Sequence, residues 1–172
     1  MFLKRFKNKS NQKYINNILN ARVVNVNDNK LASVGVVLSI EEYANLDQMR
    51  KLMSTVGVKD NKLKFITFIN DEKDKPNSWD AFFNPKEFGW SGKIENAEVK
   101  DFVATKFDAL ISFYKQDNLE LNLVTALSQA NFKIGLSNKD ERLHDFIIDV
   151  SPNDIDVFKN ELIKYLKVLN KL

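Results

Sequence analysis

The stretch Phe107-Asp108-Ala109-Leu110-Ile111-Ser112-Phe113-Tyr114 decides the fold that this sequence predicts. It is a nearly continuous apolar run, rich in aromatic residues, and polar residues follow it from Lys115 onward. Such a run is typical of a strand in a parallel sheet that helices cover on both faces. We therefore place residues 107–114 near the middle of a sheet.

Helix patterns with polar caps lie on both sides of that strand. Asn96 is predicted to cap a short helix before it, and Asp117 a longer helix after it. A further apolar strand, residues 132–136, follows the second helix. Strand, helix and strand in this order form a βαβ unit, which is almost always right-handed.

The remaining segments repeat this order. Residues 33–40 and 62–70 are predicted strands, and the amphipathic helix between them ends at Gly57. Residues 145–150 form the last strand. The connection before it is shorter than a parallel crossover needs, so we expect antiparallel pairing or a place at the sheet edge. The sequence thus predicts a three-layer α/β fold, Rossmann-like or flavodoxin-like, with about five mostly parallel strands and helices on both faces.

Length and composition set the class of protein. A chain of 172 residues with 44% hydrophobic content predicts one domain, over residues 28–172, preceded by a separate arm over residues 1–27. The absence of cysteine excludes disulfides and thiolate metal sites, and it fits a reducing compartment, so we expect a cytoplasmic protein. No apolar run approaches the roughly 18 residues of a membrane span, and the N-terminus lacks a secretory signal.

The arm is strongly basic. Residues 1–27 hold six bases and no acid, so the other 20 bases and 23 acids leave the rest of the chain at −3. Apolar residues at multiples of four, Phe2, Phe6, Tyr14 and Ile18, predict one helix, or two helices with a joint near Ser10.

Two interpretations of the arm stay open. In one, its apolar stripe packs on this protein's own body and the lysines are solvated. In the other, its basic face contacts the phosphates of nucleic acid, such as ribosomal RNA, or of an anionic membrane surface. The candidate partner-binding residues of the arm are Lys4, Arg5, Lys7, Lys9 and Lys13.

A second candidate surface is the long connection over residues 71–94. It is too long for an ordinary loop and contains an aromatic cluster, which is typical of a functional loop or of one folded on itself. The cluster consists of Trp79, Phe82, Phe83, Phe88 and Trp90. One interpretation is a hydrophobic plug over the sheet, and the other is an aromatic surface that binds a partner protein or a ligand.

Signatures of catalysis are missing. The five glycines form neither of the usual phosphate-binding loops, and there is no nucleophile elbow. His144, the only histidine, lies among charged residues, and the acids of residues 71–74 alternate with lysines as in a solvated turn. The sequence therefore predicts no catalytic residue, no metal-binding residue and no cofactor, and it favours a protein that is not an enzyme. A magnesium site of Asp and Glu side chains stays open.

A small-molecule site is the rival prediction. Residues at the carboxyl end of the central strand precede a helix N-terminus, which is a position that binds anions in α/β proteins. The candidate anion-binding residues are Tyr114, Lys115, Asp117 and Asn118. A nucleotide or a sugar phosphate is the class of ligand expected there.

Longer motifs carry two resemblances. The segments FNPKEFGWSGKI, FDALISFYKQDNLELNLVTALSQANFKIGLSN and ERLHDFII together resemble an uncharacterised family of small α/β proteins, a domain of unknown function found in the Bacteroidota, over roughly residues 30–170. This resemblance implies a bacterial cytoplasmic protein and no particular activity. Residues 107–137 are also similar to a βαβ segment in the N-terminal half of heptosyltransferase-like glycosyltransferases.

The leading functional prediction is a non-catalytic binding or adaptor protein. Its basic arm would contact an anionic partner, a ribosome or another nucleic-acid assembly ahead of a membrane surface, while the aromatic loop would contact protein. The alternative is a domain that binds a nucleotide or a sugar phosphate, as a glycosyltransferase-like remnant would. An oligomeric structural protein is a third possibility, and the oligomeric state is left open.

Overall fold

The computed structural model describes residues 2–76, 80–136 and 140–172. Eleven regular elements are referred to below. They are α1 (Phe2–Ala21), β1 (Val34–Ser39), α2 (Leu46–Thr55), β2 (Leu63–Phe68), β3 (Ala81–Phe83), α3 (Ala97–Ala104), β4 (Ala109–Phe113), α4 (Leu119–Leu127), β5 (Phe132–Gly135), β6 (Phe146–Ile147) and α5 (Ile155–Val168).

The strands form one six-stranded sheet in the order β3-β2-β1-β4-β5-β6. Every neighbouring pair is parallel. β4 lies between β1 and β5, and all of its residues are buried. The predicted Rossmann-like α/β fold and the central place of the apolar stretch are therefore confirmed.

One edge of the sheet was predicted and the other was not. β6 lies at an edge, as one of the two alternatives for the last strand expected, and it pairs with β5 in parallel, so the antiparallel alternative is wrong. A strand of two residues needs only a short connection, and the 3₁₀ turn Glu141–Leu143 takes the place of a crossover helix. β3, at the opposite edge, is a sixth strand that was not predicted because three residues are too few to show a strand pattern.

Helices cover both faces of the sheet. α2 and α5 bury Met49, Met53 and Phe158 on one face, together with Val36 and Leu38 of β1. On the other face, α1, α3 and α4 pack with alternate strand residues such as Val37 and Leu110. Side chains of one strand alternate between the two faces, and this gives the chain its two cores.

Helix α1 joins the helical layer with its second half. It is one continuous helix, and Asn11, Ile15 and Leu19 are buried. Arg22, which follows it, forms a 2.6 Å ion pair with Asp145 beside β6. Residues 11–21 thus pack on the protein's own body, as the first of the two interpretations of the arm expects. Within the described residues, no helix is both long enough and apolar enough to cross a membrane.

Candidate functional site

The two halves of α1 present different faces. An α-helix advances about 100° per residue, so residues four apart drift by about 40° and a stripe at this spacing winds around the helix. Tyr14 and Ile18 consequently pack against the core, whereas Phe2 and Phe6 are 79% and 58% exposed. Phe6 lies about 180° from the buried Ile15. The predicted apolar stripe is thus divided into a docked part and an exposed part.

The basic residues of the arm follow the same division. Lys4, Arg5, Lys9 and Lys13 are exposed. Lys7 is half-buried, and its Nζ donates hydrogen bonds to the carbonyl oxygens of Phe88 at 3.0 Å and Pro85 at 3.5 Å. Lys7 therefore positions the helix, and the other four bases are open to solvent.

A tight loop around Gly89 and Gly92 receives the helix. Asn11 donates from Nδ2 to the Gly89 carbonyl at 3.1 Å and accepts the Gly92 N–H at 3.0 Å. Gly92 has φ 72°, and a Cβ there would lie 2.2 Å from the ring of Tyr14. Only glycine meets both the conformation and the close approach. Asn84 and Glu87 form a capping box at the start of this loop.

Three of the five predicted loop aromatics are inside the protein. Phe82, Phe83 and Phe88 are buried, and the Phe83 ring packs edge-on against both Phe68 and Phe88. Phe82 and Phe83 belong to the edge strand β3 and Phe88 packs against Phe83, so these three rings are part of the sheet and its core and are not available to a partner. Trp79 lies outside the described residues. Trp90 is half exposed, at 50%.

Trp90 and the start of α1 meet at one end of the molecule. A cleft of about 430 Å³ is lined by Leu3, Lys4, Lys7, Pro85, Lys86 and Trp90. We call the exposed residues of the first three turns of α1, together with Lys86 and Trp90, the tip surface: Phe2, Leu3, Lys4, Arg5, Phe6, Lys9, Lys86 and Trp90, of which Leu3, Lys4, Lys86 and Trp90 line the cleft. Glu120 lies close enough for Lys7 and Lys4 to act on its pKa, which burial raises and their positive charges lower. The tip surface combines large apolar side chains with a surplus of positive charge.

The predicted anion-binding residues are neighbours, but they are bound to the protein itself. Tyr114 is buried, and its hydroxyl bonds to Thr125 Oγ1 at 2.8 Å and to Asn122 Oδ1 at 3.2 Å. Burial raises its pKa. Asp117 Oδ1 accepts a hydrogen bond from Asn122 Nδ2 at 3.0 Å.

The N-terminus of α4 is closed in the same way. Asn118, and not Asp117 as predicted, caps the helix by accepting the N–H groups of Glu120 and Leu121. Lys115 Nζ forms a 2.7 Å ion pair with Asp149. The side chains expected to hold a phosphate thus already have protein partners.

Backbone donors at the same place are occupied by Glu42, which lies between β1 and α2. Its Oε2 accepts the N–H of Lys115 at 2.8 Å, and its Oε1 accepts the N–H of Gln116 at 3.2 Å. Gln116 Nε2 in turn donates to Ser39 Oγ at 2.8 Å. We call residues 39–45 and 114–118 the switch crevice, because they follow β1 and β4, the two neighbouring strands between which the direction of the strand order switches.

A buried polar cluster lies beside β5 and β6. His144 is 8% exposed, its ring covers Gly135, and neither ring nitrogen has a hydrogen-bond partner within the described residues. Burial, followed by the charges of Lys133 and Arg22, lowers the pKa of His144 to about 4. Lys133 Nζ donates to the carbonyls of Thr125 and Ala126 at 2.7 and 3.2 Å, where α4 ends. Burial is also the largest cause that lowers the pKa of Lys133 to about 8.

This cluster has a structural role. A cation at a helix C-terminus stabilises the last carbonyl groups, and Lys133 does so at α4. In the part of the chain that the structure describes, no group of three or more His, Cys, Asp or Glu side chains comes close enough to hold a metal ion.

The family is shown by a comparison of sequences. A family of unknown function (DUF6913) matches residues 7–169. The chain belongs to this family. Neither the curated proteins nor the solved structures contain a match. Membership in DUF6913 confirms the predicted resemblance to an uncharacterised domain, and it carries no activity with it.

Two features of this DUF6913 chain were missed at the level of sequence. The first is the closure of the switch crevice by Glu42. The sequence contains one indirect sign of it, since neither loop of the crevice contains a glycine that would let a ligand approach the backbone. The second is the cleft between Leu3 and Trp90. The sequence contains no sign of it, because the two residues are far apart in the chain and only the docking of α1 brings them together.

Proposed function

We propose that this chain is a non-catalytic binding protein whose tip surface contacts a nucleic-acid assembly, such as ribosomal RNA, in the cytoplasm of a bacterium, with the Bacteroidota as the expected source. One observation carries the proposal: Trp90 and the exposed first turns of α1 line a single cleft with Lys4, Lys7 and Lys86.

The chemistry of this surface suits a single-stranded segment of nucleic acid. Lysine and arginine neutralise phosphates and release counterions, which supplies affinity without reading sequence. Aromatic rings stack on unpaired bases, and each stacked base contributes about 1–3 kcal/mol. Trp90 lines the cleft with Lys4 and Lys86, and Phe2 and Phe6 are exposed on the same first turns of α1 as Lys4, so the tip surface offers both kinds of contact.

The distribution of charge supports the same partner class. The first 27 residues contain no acid, whereas the rest of the chain carries 23 acids and 20 bases. An anionic polymer is therefore attracted to the tip and repelled weakly by the body. The docked half of α1 fixes the tip in place, so less ordering accompanies binding than for a disordered tail.

The test uses a triple variant, Lys4→Gln, Arg5→Gln and Lys9→Gln, in the full chain. Binding to a fluorescent single-stranded RNA is measured by anisotropy over a range of salt concentrations. The proposal predicts at least a tenfold loss of affinity, and a slope of log affinity against log salt that is smaller by about 2, because each lost contact removes about 0.7 from it.

A matched control separates local contacts from net charge. Lys51, Lys59 and Lys62 are exposed and belong to the elements around α2 and β2. The variant Lys51→Gln, Lys59→Gln and Lys62→Gln removes the same charge away from the tip. It is expected to keep affinity within about twofold, since distant charges are screened beyond roughly 10 Å. Equal losses of RNA affinity in both triple variants would show that the tip surface is not the binding site.

A second candidate partner is an anionic membrane surface. Leu3 is 76% exposed beside Phe2, and aliphatic side chains insert into lipid but do not stack on bases as rings do. Sedimentation with vesicles of anionic phospholipid is the corresponding assay. Binding to these vesicles together with no binding to RNA would replace the first candidate with the second.

The small-molecule alternative concerns another region. It is the predicted nucleotide or sugar-phosphate site at Tyr114, Lys115, Asp117 and Asn118, a ligand class that the expected resemblance of residues 107–137 to heptosyltransferase-like glycosyltransferases would also imply. A thermal-shift measurement over such ligands tests it, because a ligand that binds the native state raises the melting temperature. A saturable rise in the wild-type chain would favour this alternative.

A further inference from the structure

The strand order gives the switch crevice its significance. In the order β3-β2-β1-β4-β5-β6, the connections leave β1 and β4 in opposite directions along the sheet. Open α/β sheets bind ligands outside the carboxyl ends of the strands at this reversal. The loops that follow β1 and β4, residues 40–45 and 114–118, are therefore where a ligand is expected.

A negatively charged group already lies there. The two carboxylate oxygens of Glu42 accept the consecutive N–H groups of Lys115 and Gln116, at 2.8 and 3.2 Å. Successive backbone N–H groups that point at one anion form a concavity of the kind that binds phosphate in many proteins. Here the anion is part of the same chain.

The side chains around Glu42 complete the closure. Asn45 caps α2 by accepting the N–H of Gln48 at 3.0 Å, so the helix after β1 is closed as well as α4. The carbonyl of Ser39 accepts a hydrogen bond from the N–H of Glu42 at 3.1 Å, and the Ser39 hydroxyl oxygen accepts one from Gln116 Nε2. Glu42 is thus held at its backbone and at its carboxylate.

We propose that the Glu42 carboxylate is the built-in occupant of an oxyanion site formed by the N–H groups of Lys115 and Gln116. This inference concerns a region distinct from the tip surface and does not rest on the proposed function. A tethered group acts at an effective concentration on the order of millimolar, so a weakly bound free phosphate does not displace it. The wild-type chain is closed to phosphorylated ligands at the crevice, and removal of the Glu42 side chain opens the site to inorganic phosphate or a phosphate monoester.

Glu42→Ala is the test variant, and inorganic phosphate is the probe. Two measurements compare it with the wild-type chain: the melting temperature in phosphate and in chloride at equal ionic strength, and the N–H signals of Lys115 and Gln116 by NMR during a phosphate titration. For Glu42→Ala we expect saturable shifts of both signals. We also expect a rise of about 4 °C when phosphate is at about ten times its dissociation constant.

Glu41→Ala is the matched control. Glu41 is the preceding residue, it is exposed, and its carboxylate bonds to Asn70 rather than to the loop that follows β4. The variant Glu41→Ala removes the same charge but leaves Glu42 in place. It is therefore expected to behave like the wild-type chain, with no phosphate-dependent shift. A second test variant, Glu42→Gln, keeps the size of the side chain and loses the charge, and its N–H signals are measured in the same titration.

The outcomes are decisive in both directions. Phosphate-dependent shifts at residues 115 and 116 in either Glu42 variant, absent from wild type and from Glu41→Ala, support the built-in occupant. Shifts of equal size in the wild-type chain overturn it, because the site would then be open. Folded Glu42→Ala and Glu42→Gln chains that show no shift at these two residues also overturn it, because the donors would not form an anion site.

Discussion

The polar groups of the switch crevice are bonded within the protein, whereas the charged groups of the tip surface are exposed to solvent. In the crevice, Glu42, Asn118 and Tyr114 bind other groups of the same chain, so the place where topology predicts a ligand is filled from inside. At the tip, Trp90 and the first turn of α1 leave large rings and positive charges exposed. A shared fold therefore locates a possible site, and only the side chains decide whether it is open.

The largest expected effect concerns stability in the closed region. Tyr114→Ala removes a buried ring and two hydrogen bonds at the carboxyl end of β4. It should lower the free energy of unfolding by about 3–5 kcal/mol, measured by urea denaturation. Phe6→Ala at the tip should change this free energy by less than about 0.5 kcal/mol, since the ring is exposed. Equal costs at both positions would break the comparison.

The buried cluster at β5 and β6 adds a dependence on pH. The folded-state pKa of His144 is about 4, below its usual 6.5, so between these values the unfolded chain binds a proton that the folded chain does not. Stability therefore falls as pH is lowered from about 6.5 to about 4, by a total of about 3 kcal/mol from this residue.

The variant His144→Asn tests this contribution. It cannot titrate in that range, so the loss of stability between pH 6.5 and 4 should be smaller than in wild type by about 3 kcal/mol, measured by urea denaturation at each pH. Comparing the two pH profiles removes any constant change caused by repacking over Gly135. If the two profiles run parallel, His144 does not titrate as the structure implies.

A smaller loss is expected at the start of α4. Asn118→Ala removes the cap and leaves the N–H groups of Glu120 and Leu121 without their acceptor. The free energy of unfolding should fall by about 1 kcal/mol. Asn118→Asp keeps an oxygen acceptor at the same position and serves as the comparison, with most of the loss recovered. Equal costs for Asn118→Ala and Asn118→Asp would mean that the loss does not come from the cap.

The last change is expected to affect binding more than stability. Trp90→Ala should lower the free energy of unfolding by only about 1 kcal/mol because half of the residue is already exposed. It should weaken binding to single-stranded RNA by about 1–3 kcal/mol, while Trp90→Phe keeps most of the affinity. A destabilising Trp90→Ala variant that binds RNA normally would assign Trp90 to the core.

The sequence predicted the fold well where patterns are long. The apolar stretch at residues 107–114 indicated a buried central strand, and Asn96 indicated the cap of α3, both as found. One short element escaped detection: β3 has three residues, too few to show a period, whereas β6 was predicted over residues 145–150 and is shorter than expected, at Phe146–Ile147. A 3₁₀ turn, Glu141–Leu143, precedes β6, and composition does not reveal it.

The candidate sites were predicted less well, for a physical reason. Exposure and partner choice are tertiary properties, so the cluster of loop aromatics could not show that Phe83 and Phe88 are buried while Trp90 is exposed. In the same way, the sequence placed Lys115 and Asn118 correctly at a strand end but could not show that Asp149 and the α4 backbone already bind them.

The contrast between the two regions is tested most directly by NMR during a titration of the wild-type chain with single-stranded RNA. We expect that the N–H signals of residues 2–10 and 86–92 shift, that the shifts weaken as salt is added, and that the signals of residues 114–118 stay in place. Shifts at residues 114–118 with none at the tip would contradict it.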